Sequence, residues 1–328
     1  MTNSTAASLT VYSRTANGNA LAIRHLDGAA TGLSGPRGVF VNTFHNELVV
    51  ANSSNNSITV YAFGASGNTA PLRTLQGAAT GLFLPVGAFV DVLNNELIVA
   101  NGNNSSITVY SRTASGNAAP LRTLQGAATG LDGPNGVIAD TVNNELLVSN
   151  NLGNSITVHA RAATGNTAPL RTLKGAATGL NSPQNFALDL AHGELVVANF
   201  GTPSVTVYAR AANGNTAPLR TLQGPATNLD VPRSAFVDIV NDELVVANGF
   251  DSVTVYARTA SGNTAPLRKV QGNNTGLSNP GFAAVVSAGQ PRADLFLNND
   301  AFVVGSTLVY QATLSPGLAP TQVDIYLG

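Results

Sequence analysis

The chain has 328 residues, of which 44% are hydrophobic, and this content is sufficient for a sizeable core. Only 10% of the residues are charged and the formal net charge is −1, so the chain offers no field that would attract nucleic acid or an acidic membrane surface. Because the chain has no cysteine, disulfides, thiol nucleophiles and cysteine-ligated zinc are excluded.

An internal repeat of about 49 residues organises most of the chain. Each copy contains the phrase S-[ILV]-T-V-[YH], followed by G-N-x-A-P-L-R-T-L-Q-G, A-A-T-G-L and N-N-E-L-V-V-A-N with small variations. The phrase begins at Ser8, Ser57, Ser106, Ser155, Ser204 and Ser252. A repeat this regular indicates that one structural unit recurs along the chain.

Within each unit, four short runs rich in Val, Ile, Leu, Thr and Tyr are separated by Gly, Asn and Pro, which predicts strands joined by tight turns. In the third unit the runs are residues 137–140, 145–149, 156–159 and 170–173. Several runs are apolar on both faces, as expected for a sheet that lies between two other sheets. We therefore predict an all-β, six-bladed β-propeller with four antiparallel strands per blade.

The repeat also predicts how the ring closes. Five units are complete, whereas the chain begins with only the last two strands of a unit, residues 9–12 and 23–26. It ends with the first two strands of a unit, residues 282–286 and 294–297. Two N-terminal plus two C-terminal strands would complete a sixth blade and leave no free sheet edge.

This interpretation divides the chain into three parts. Residues 1–7 are predicted to be an N-terminal extension and residues 8–300 to be the propeller. Residues 301–328 read as strands with a Pro-Gly turn, and 28 residues are too few for a core of their own. They are interpreted as the truncated start of a following β-sandwich module, and a strap packed on the propeller is the alternative.

The segments P-x-G-[VI]-x-[VA]-D, N-x-E-L-x-V-[AS]-N, S-I-T-V-Y and L-R-T-L-Q-G resemble the blades of NHL-repeat propellers. The resemblance covers about residues 8–300. It implies the propeller fold and leaves the activity open, because that family includes interaction scaffolds and related propellers include lyases and lactonases. The sixth blade departs from the pattern, since Phe282 follows Pro280-Gly281 and no Asp ends the strand.

Three sets of polar residues recur once per blade and are predicted to be structural. Carboxylate pairs such as Asp91 and Glu96 flank a turn, where Asp bonds local backbone N–H groups. The arginines of the outer strands are expected to form ion pairs between blades. An Asn that closes each second strand is expected to satisfy loop backbone. The Asn positions are Asn52, Asn101, Asn150, Asn199, Asn248 and, in the split blade, Asn299.

The four histidines occupy unrelated positions of the repeat, and no spacing among them indicates a zinc site. His159 stands where Tyr110 and Tyr208 stand in other units. It is therefore predicted to be a packed substitute for an aromatic residue.

The residue that follows the proline at the start of each first strand varies among the units, although the rest of the repeat is nearly constant. These residues are Arg37, Val86, Asn135, Gln184, Arg233 and Gly281. In a propeller this position faces the central opening, and such varied residues around one funnel are what a single asymmetric ligand requires. Neutral variation at tolerant loop positions is the alternative.

We predict a ligand site at this opening. Arg37 and Arg233 are expected to hold an anionic group, and Asn135 and Gln184 to add amide contacts. Phe200 and Phe250, in loops that follow the Asn positions, would add apolar or sugar-stacking surface.

The function predicted on these grounds is a non-enzymatic binding or scaffold module, with no catalytic residue, metal or cofactor. The predicted partner is a protein, a glycan or a small anionic ligand at the central funnel, not nucleic acid or membrane. A metal-dependent lyase or lactonase-like enzyme and a purely structural spacer remain alternatives. The chain is predicted to be a monomer, and its polar, cysteine-free composition favours a bacterial protein outside the cell or on its surface.

Overall fold

The computed structural model describes residues 1–285 together with 296–297 and 310–311. Six blades of antiparallel strands surround a common axis, so the predicted six-bladed all-β propeller is confirmed. Five blades contain four strands each, in chain order from the axis outwards.

The strands of these five blades are as follows. Blade 1 contains Pro36–Asn42, Glu47–Asn52, Ser57–Ala62 and Arg73–Gln76. Blade 2 contains Pro85–Asp91, Glu96–Asn101, Ser106–Ser111 and Arg122–Gln125, and blade 3 contains Pro134–Asp140, Glu145–Asn150, Ser155–Ala160 and Arg171–Lys174. Blade 4 contains Pro183–Asp189, Glu194–Asn199, Ser204–Ala209 and Arg220–Gln223, and blade 5 contains Pro232–Asp238, Glu243–Asn248, Ser252–Ala257 and Arg268–Gln271.

Local sequence explains the turns between these strands. After the first strand of blade 2, the Asp91 carboxylate accepts a hydrogen bond from the Asn94 backbone N–H at 3.1 Å, which is the local role predicted for this Asp. Asn95 then adopts a positive φ of 54°, a conformation that Asn tolerates better than most residues. A single 3-10 turn precedes each first strand, at Ala29–Thr31, Ala78–Thr80, Ala127–Thr129, Ala176–Thr178 and Pro225–Thr227.

The apolar core is divided among the interfaces between blades. In one cluster, Val49 and Ile58 of blade 1 pack with Val90 and Val99 of blade 2, and all four side chains are buried. Both faces of each sheet are therefore covered, which explains strands that are apolar on both sides.

Each outer strand is also covered at its edge by the next blade. Gly116 of blade 2 donates its N–H to the Thr74 carbonyl and accepts from the Gln76 N–H, at 2.7 and 2.9 Å. The same bridge joins every neighbouring pair, including Leu26 of blade 6 with Gly67 of blade 1. The backbone groups of the edge strand are thus not free to pair with another chain.

The sixth blade closes differently from the prediction. Its sheet contains Thr2–Asn3, Ser8–Val11 and Arg24–Leu26, so the N-terminal part supplies three strands. The innermost position is taken by the segment around Pro280, which bridges to Asn3. Blade 6 therefore consists of three N-terminal strands and one C-terminal segment. The predicted division into two N-terminal and two C-terminal strands was wrong.

The sequence contained the signal for this arrangement. Asn3 precedes Ser8 by five residues, as Asn52 precedes Ser57, so Thr2–Asn3 matches the end of a second strand. Residues 1–7 are consequently part of the blade and do not form an extension outside it. Asn3, not Asn299, holds the sixth position of the Asn set, and Asn299 lies outside the described residues.

Met1–Val286 form one unit and Ser287–Gly328 a second. In the second unit, Phe296–Leu297 pair antiparallel with Tyr310–Gln311. The rest of the predicted tail, residues 301–328, lies outside the described residues. In the described part of the chain, no helix has the length and apolar character needed to cross a membrane.

Candidate functional site

The six variable positions converge on one opening at the axis. Five of them are the second residue of an innermost strand, and Gly281 follows the bridge that Pro280 forms with Asn3; the innermost strands lie side by side around the ring. The opening is lined by Arg37, Val86, Asn135, Gln184, Arg233 and Gly281, together with Ser4 and Phe282. The structure thus brings together four of the predicted site residues, Arg37, Asn135, Gln184 and Arg233.

The opening is narrow because the innermost strands approach each other closely. A Cβ atom added to Gly38 would lie 2.3 Å from the carbonyl oxygen of Val86, and one added to Gly87 would lie 2.3 Å from that of Asn135. Only glycine permits this backbone contact. The cavity that remains is about 10 Å³, which is the space of about one water molecule.

Two amide side chains on one side of the opening are already oriented. Asn135 Nδ2 donates to Gln184 Oε1 at 2.8 Å, and both residues are more than nine-tenths buried. The backbone beneath them is held by Ser149, whose hydroxyl donates to the Gln184 carbonyl and accepts from the Gly136 N–H at 2.8 Å. This part of the site is therefore preorganised.

The two arginines on the other side are not neutralised. Within residues 1–285, neither Arg37 nor Arg233 forms an ion pair or a side-chain hydrogen bond. Burial lowers the pKa of Arg233, and the positive charge of Arg37 lowers this pKa further.

The two predicted phenylalanines lie outside the lining of the opening. Phe200 is beneath Arg233, with its ring centroid 5.5 Å from the guanidinium carbon, a cation–π distance. Phe250 is 62% exposed in the turn after the second strand of blade 5. Phe200 thus supports a site residue, and Phe250 belongs to the rim around the opening.

Ser4 and Phe282 are site residues that the sequence interpretation missed. Both come from the closing segments of the sixth blade, where the Thr2 hydroxyl donates to the Arg37 carbonyl at 2.8 Å. Ser4 aligns with Ser53 through the spacing of Asn3 and Ser8, so correct alignment of the first residues would have identified it.

The Asn set is structural, as predicted. Asn52 Nδ2 donates to Thr59 Oγ1 at 2.9 Å, and its Oδ1 accepts from the Ser34 N–H at 3.1 Å. The residue is completely buried and ties two strands to the loop that enters the blade. The equivalent residues are Asn3, Asn101, Asn150, Asn199 and Asn248.

The outer-strand arginines, apart from Arg24, pair with the glutamate of their own blade, so the predicted ion pairs between blades were wrong for this set; a second arginine, after the third strand of the next blade, makes the link between blades. Arg73 of blade 1 binds both oxygens of Glu47 at 2.6 and 2.9 Å, and Arg112 of blade 2 binds the same carboxylate at 3.1 Å. We call this arrangement the Arg–Glu–Arg clamp. The other clamps contain Glu96 with Arg122 and Arg161, Glu145 with Arg171 and Arg210, Glu194 with Arg220 and Arg258, and Glu243 with Arg268 and Arg14.

The junction between blades 6 and 1 replaces the clamp with a different contact. Phe63 stands where blade 2 has Arg112, and Arg24 lies 5.4 Å from the centroid of its ring. Arg24 also donates to the Phe63 carbonyl at 2.7 Å. The second strand of blade 6, Thr2–Asn3, carries no glutamate, so a second arginine here would have no carboxylate to bind.

His159 is packed in the core, as predicted, but without the hydrogen bond of the tyrosines that it replaces. The Tyr110 hydroxyl donates to the Thr80 carbonyl at 2.5 Å, and the equivalent tyrosines of other blades do the same. Within the described residues, neither ring nitrogen of His159 has a partner. Burial lowers the pKa of His159 to about 4.

We expect His159→Tyr to stabilise the protein by about 1–2 kcal/mol, because the hydroxyl would reach the Thr129 carbonyl and two unpaired nitrogens would be removed. The folded pKa is below the ordinary value of 6.5, so the unfolded chain binds more protons between pH 6.5 and 4. The parent protein should lose stability as pH falls through this window, by up to about 1.4 kcal/mol per pH unit.

Urea unfolding at pH 7 and pH 5 measures both effects, and the variant should show the smaller loss. The exposed His25→Tyr serves as the control. An equal loss in parent and variant between these pH values would refute a buried, neutral imidazole.

Fold and site together define a six-bladed β-propeller with a narrow, polar opening on its axis. The family model described as "Lactonase, 7-bladed beta-propeller" matches residues 96–280, which is more than half of the chain. The chain therefore belongs to this family, and its own ring has six blades.

Solved structures share the fold at low identity. A functionally unknown protein from Desulfotomaculum acetoxidans DSM 771 is similar, with a TM-score of 0.54 and 11% identity, over 81% of this chain and 77% of that chain. A chain of a nidogen/laminin complex has a TM-score of 0.56 and 16% identity, over 73% of this chain and 80% of that chain. No curated protein matches the chain. These similarities establish the propeller and carry no information on its activity.

Proposed function

We propose that this chain is a non-enzymatic binding module whose partner docks on the end of the propeller that carries the axial opening. One observation carries this proposal. At a single repeated position the six blades present five residue types, from Arg37 and Arg233 to Gln184 and Gly281, and these residues meet at one opening. Such asymmetry in an otherwise repetitive ring favours recognition of one asymmetric ligand.

The contrast with the other polar sets supports the proposal. The repeated Asn and Glu residues are engaged in bonds within and between blades. The arginines at the opening have no ion pair or side-chain hydrogen bond among the described residues, and exposed apolar side chains such as Leu152 and Phe250 occur in turns at the same end. The turn with Leu152 is placed there by the pairing of Pro134 with Asn150.

We propose a protein, a glycan or a small anion as the ligand class. The composition and the NHL-like repeat support an origin in a bacterial protein that is secreted or attached to the cell surface. Binding at loops on a rigid scaffold is the common use of such propellers.

A lactonase-like enzyme is the second candidate, because the family description names that activity. The residues at the opening do not fit a divalent cation. They include no carboxylate or histidine, and two guanidinium groups would repel the metal. Among the described residues, no group of three or more His, Cys, Asp or Glu side chains is arranged for a metal. We therefore assign no catalytic step to this opening.

A binding screen tests the proposal. The protein is screened against a panel of glycans, peptides and small anions, and any ligand found is tested with Phe250→Ser and with Arg37→Gln/Arg233→Gln. We expect at least tenfold weaker binding for a rim or opening variant. Phe44→Ser, an exposed phenylalanine in a turn at the opposite end, is the matched control and should bind normally. No ligand for the parent protein would favour a structural spacer.

Metal titration separates the binding module from the enzyme. For the binding module we expect no change in melting temperature when calcium or magnesium is added. A rise of several degrees would favour the enzyme, because a ligand that binds only the folded state stabilises it.

A further inference from the structure

Arg37 and Arg233 differ from the other arginines in residues 1–285. Those arginines bind carboxylates, apart from Arg24, which stacks on Phe63 and donates to its carbonyl. Arg37 and Arg233 lie beside the axis with no anionic partner among the described residues. Both are only partly exposed, and the Nε of Arg233 is buried without a hydrogen bond.

Their position in the ring leaves a space between them. They belong to blades 1 and 5, which flank the split blade 6, and the equivalent residue of blade 6 is Gly281. A Cβ atom at Gly281 would lie 2.8 Å from the Arg37 carbonyl oxygen, so no side chain fits there. Both arginines therefore line the same opening, and blade 6 places no side chain at the equivalent position between them.

This arrangement is unfavourable without a bound anion. A guanidinium group stays protonated in proteins, so both charges are present at neutral pH. Two like charges that are partly withdrawn from water raise the energy of the folded state unless an opposite charge compensates them. The neighbouring amides of Asn135 and Gln184 supply no negative charge.

The size of the opening and its surroundings restrict the anion. A cavity of about 10 Å³ accepts one oxygen-sized atom and excludes an organic molecule as a whole. Asp132, Asp230 and Asp251 are exposed in loops at the same end and carry negative charge, which disfavours polyanions. A group that inserts one oxygen and leaves its remainder outside fits both restrictions.

We propose that Arg37 and Arg233 bind one carboxylate group, with one oxygen in the axial opening beside the Gln184 amide. The inference rests on the proposed binding function and specifies the chemistry of the bound group. Carboxylates pair well with guanidinium groups, and two arginines allow both oxygens to be engaged. The carboxylate belongs either to a small free acid or to an Asp or Glu side chain of a partner protein.

Thermal unfolding with three probes tests this assignment. Saturating sodium acetate should raise the melting temperature by about 2–4 °C relative to sodium chloride at the same ionic strength, as expected for stabilisation of about 1 kcal/mol. Acetamide, which has the shape of acetate without its charge, should give no shift. The carboxylate assignment would be overturned if the protein melted at the same temperature in sodium acetate as in sodium chloride. It would also be overturned if acetamide raised the melting temperature as much as acetate does.

Variants locate the effect. Arg37→Gln/Arg233→Gln should abolish the acetate shift and, without acetate, should melt at the same temperature or higher, because the repulsion is removed. Lys174→Gln/Lys269→Gln removes the same charge from outer strands and should keep the shift. An acetate shift that persists in the arginine variant, or a parent melting temperature above that variant in acetate-free buffer, would contradict the proposal.

Peptides distinguish the two sources of the carboxylate. A short blocked peptide with one Glu that binds at least tenfold more tightly than acetate, and than its Gln counterpart, indicates a protein partner. Equal affinity for the Glu peptide and acetate indicates a free acid.

Failure of this inference can be distinguished from failure of the proposed function. If a ligand that binds at the docking end binds normally to Arg37→Gln/Arg233→Gln, the carboxylate inference fails and the proposed binding module stands. If acetate binds but no ligand of the screening panel does, the proposed function as a binding module is contradicted instead.

Discussion

Gly87→Ala should destabilise the propeller by about 3 kcal/mol, because the added methyl group overpacks the contact between two innermost strands. The Cβ atom would lie 2.3 Å from the backbone carbonyl oxygen of Asn135, which cannot rotate away as a side chain can. Blades 2 and 3 would have to separate at the axis. Urea unfolding measures the change as a lower midpoint with an unchanged slope.

Gly64→Ala is the matched control for this substitution. An added Cβ at Gly64 meets no atom within 4 Å, and its backbone is not in the left-handed region. We expect a change within about 0.5 kcal/mol or a small stabilisation through lower entropy of the unfolded chain. If Gly87→Ala unfolds at the same urea concentration as this control, the innermost strands are not as close as described.

Glu145→Gln should cost about 2–3 kcal/mol, because it leaves two arginines of a clamp without their shared carboxylate. Arg171 of the same blade binds both oxygens of Glu145, and Arg210 of the next blade binds one of them at 3.0 Å. Arg210 keeps only its contact with Asp140, at 2.7 Å. Melting temperature or urea unfolding at pH 7 measures the loss.

The pH dependence gives this prediction a second readout. The bonds to Arg171 lower the pKa of Glu145 below its ordinary value of 4.5, despite the opposing effect of burial. Its stabilising contribution is therefore complete above pH 4.5 and is lost as pH falls through the lowered folded pKa. Glu145→Gln should show a weaker acid dependence in this range. The exposed Asp27→Asn is the control, and an equal loss of stability in both variants would contradict the clamp.

The blade was predictable because its information is local and repeated. Each unit carries its own strand pattern, its Asn between strands and its Glu and Arg at fixed spacing, and each packs against a neighbour of the same design. The structural roles of Asn52, Asp91 and Glu47 follow from this regularity. The one error in the architecture arose at Thr2–Asn3, where only two residues of a second strand precede the repeat phrase.

The site depended on information that is not periodic. The variable residues were visible in the sequence, but the close backbone approach at Gly281 and the contact of Phe200 with Arg233 were not. The absence of a partner for the two ring nitrogens of His159, among the described residues, was equally invisible. These features depend on side-chain packing across blades far apart in the chain.

Repetition along the chain thus determined the strands, the number of blades and the contacts between neighbours, because each of these recurs every 49 residues or so. Closure of the ring decided the features of the axial opening, which do not recur along the chain. It brings residues almost 200 positions apart to one axis and sets the width of the opening by glycine contacts. It also places two arginine side chains at one opening, which no local pattern specifies.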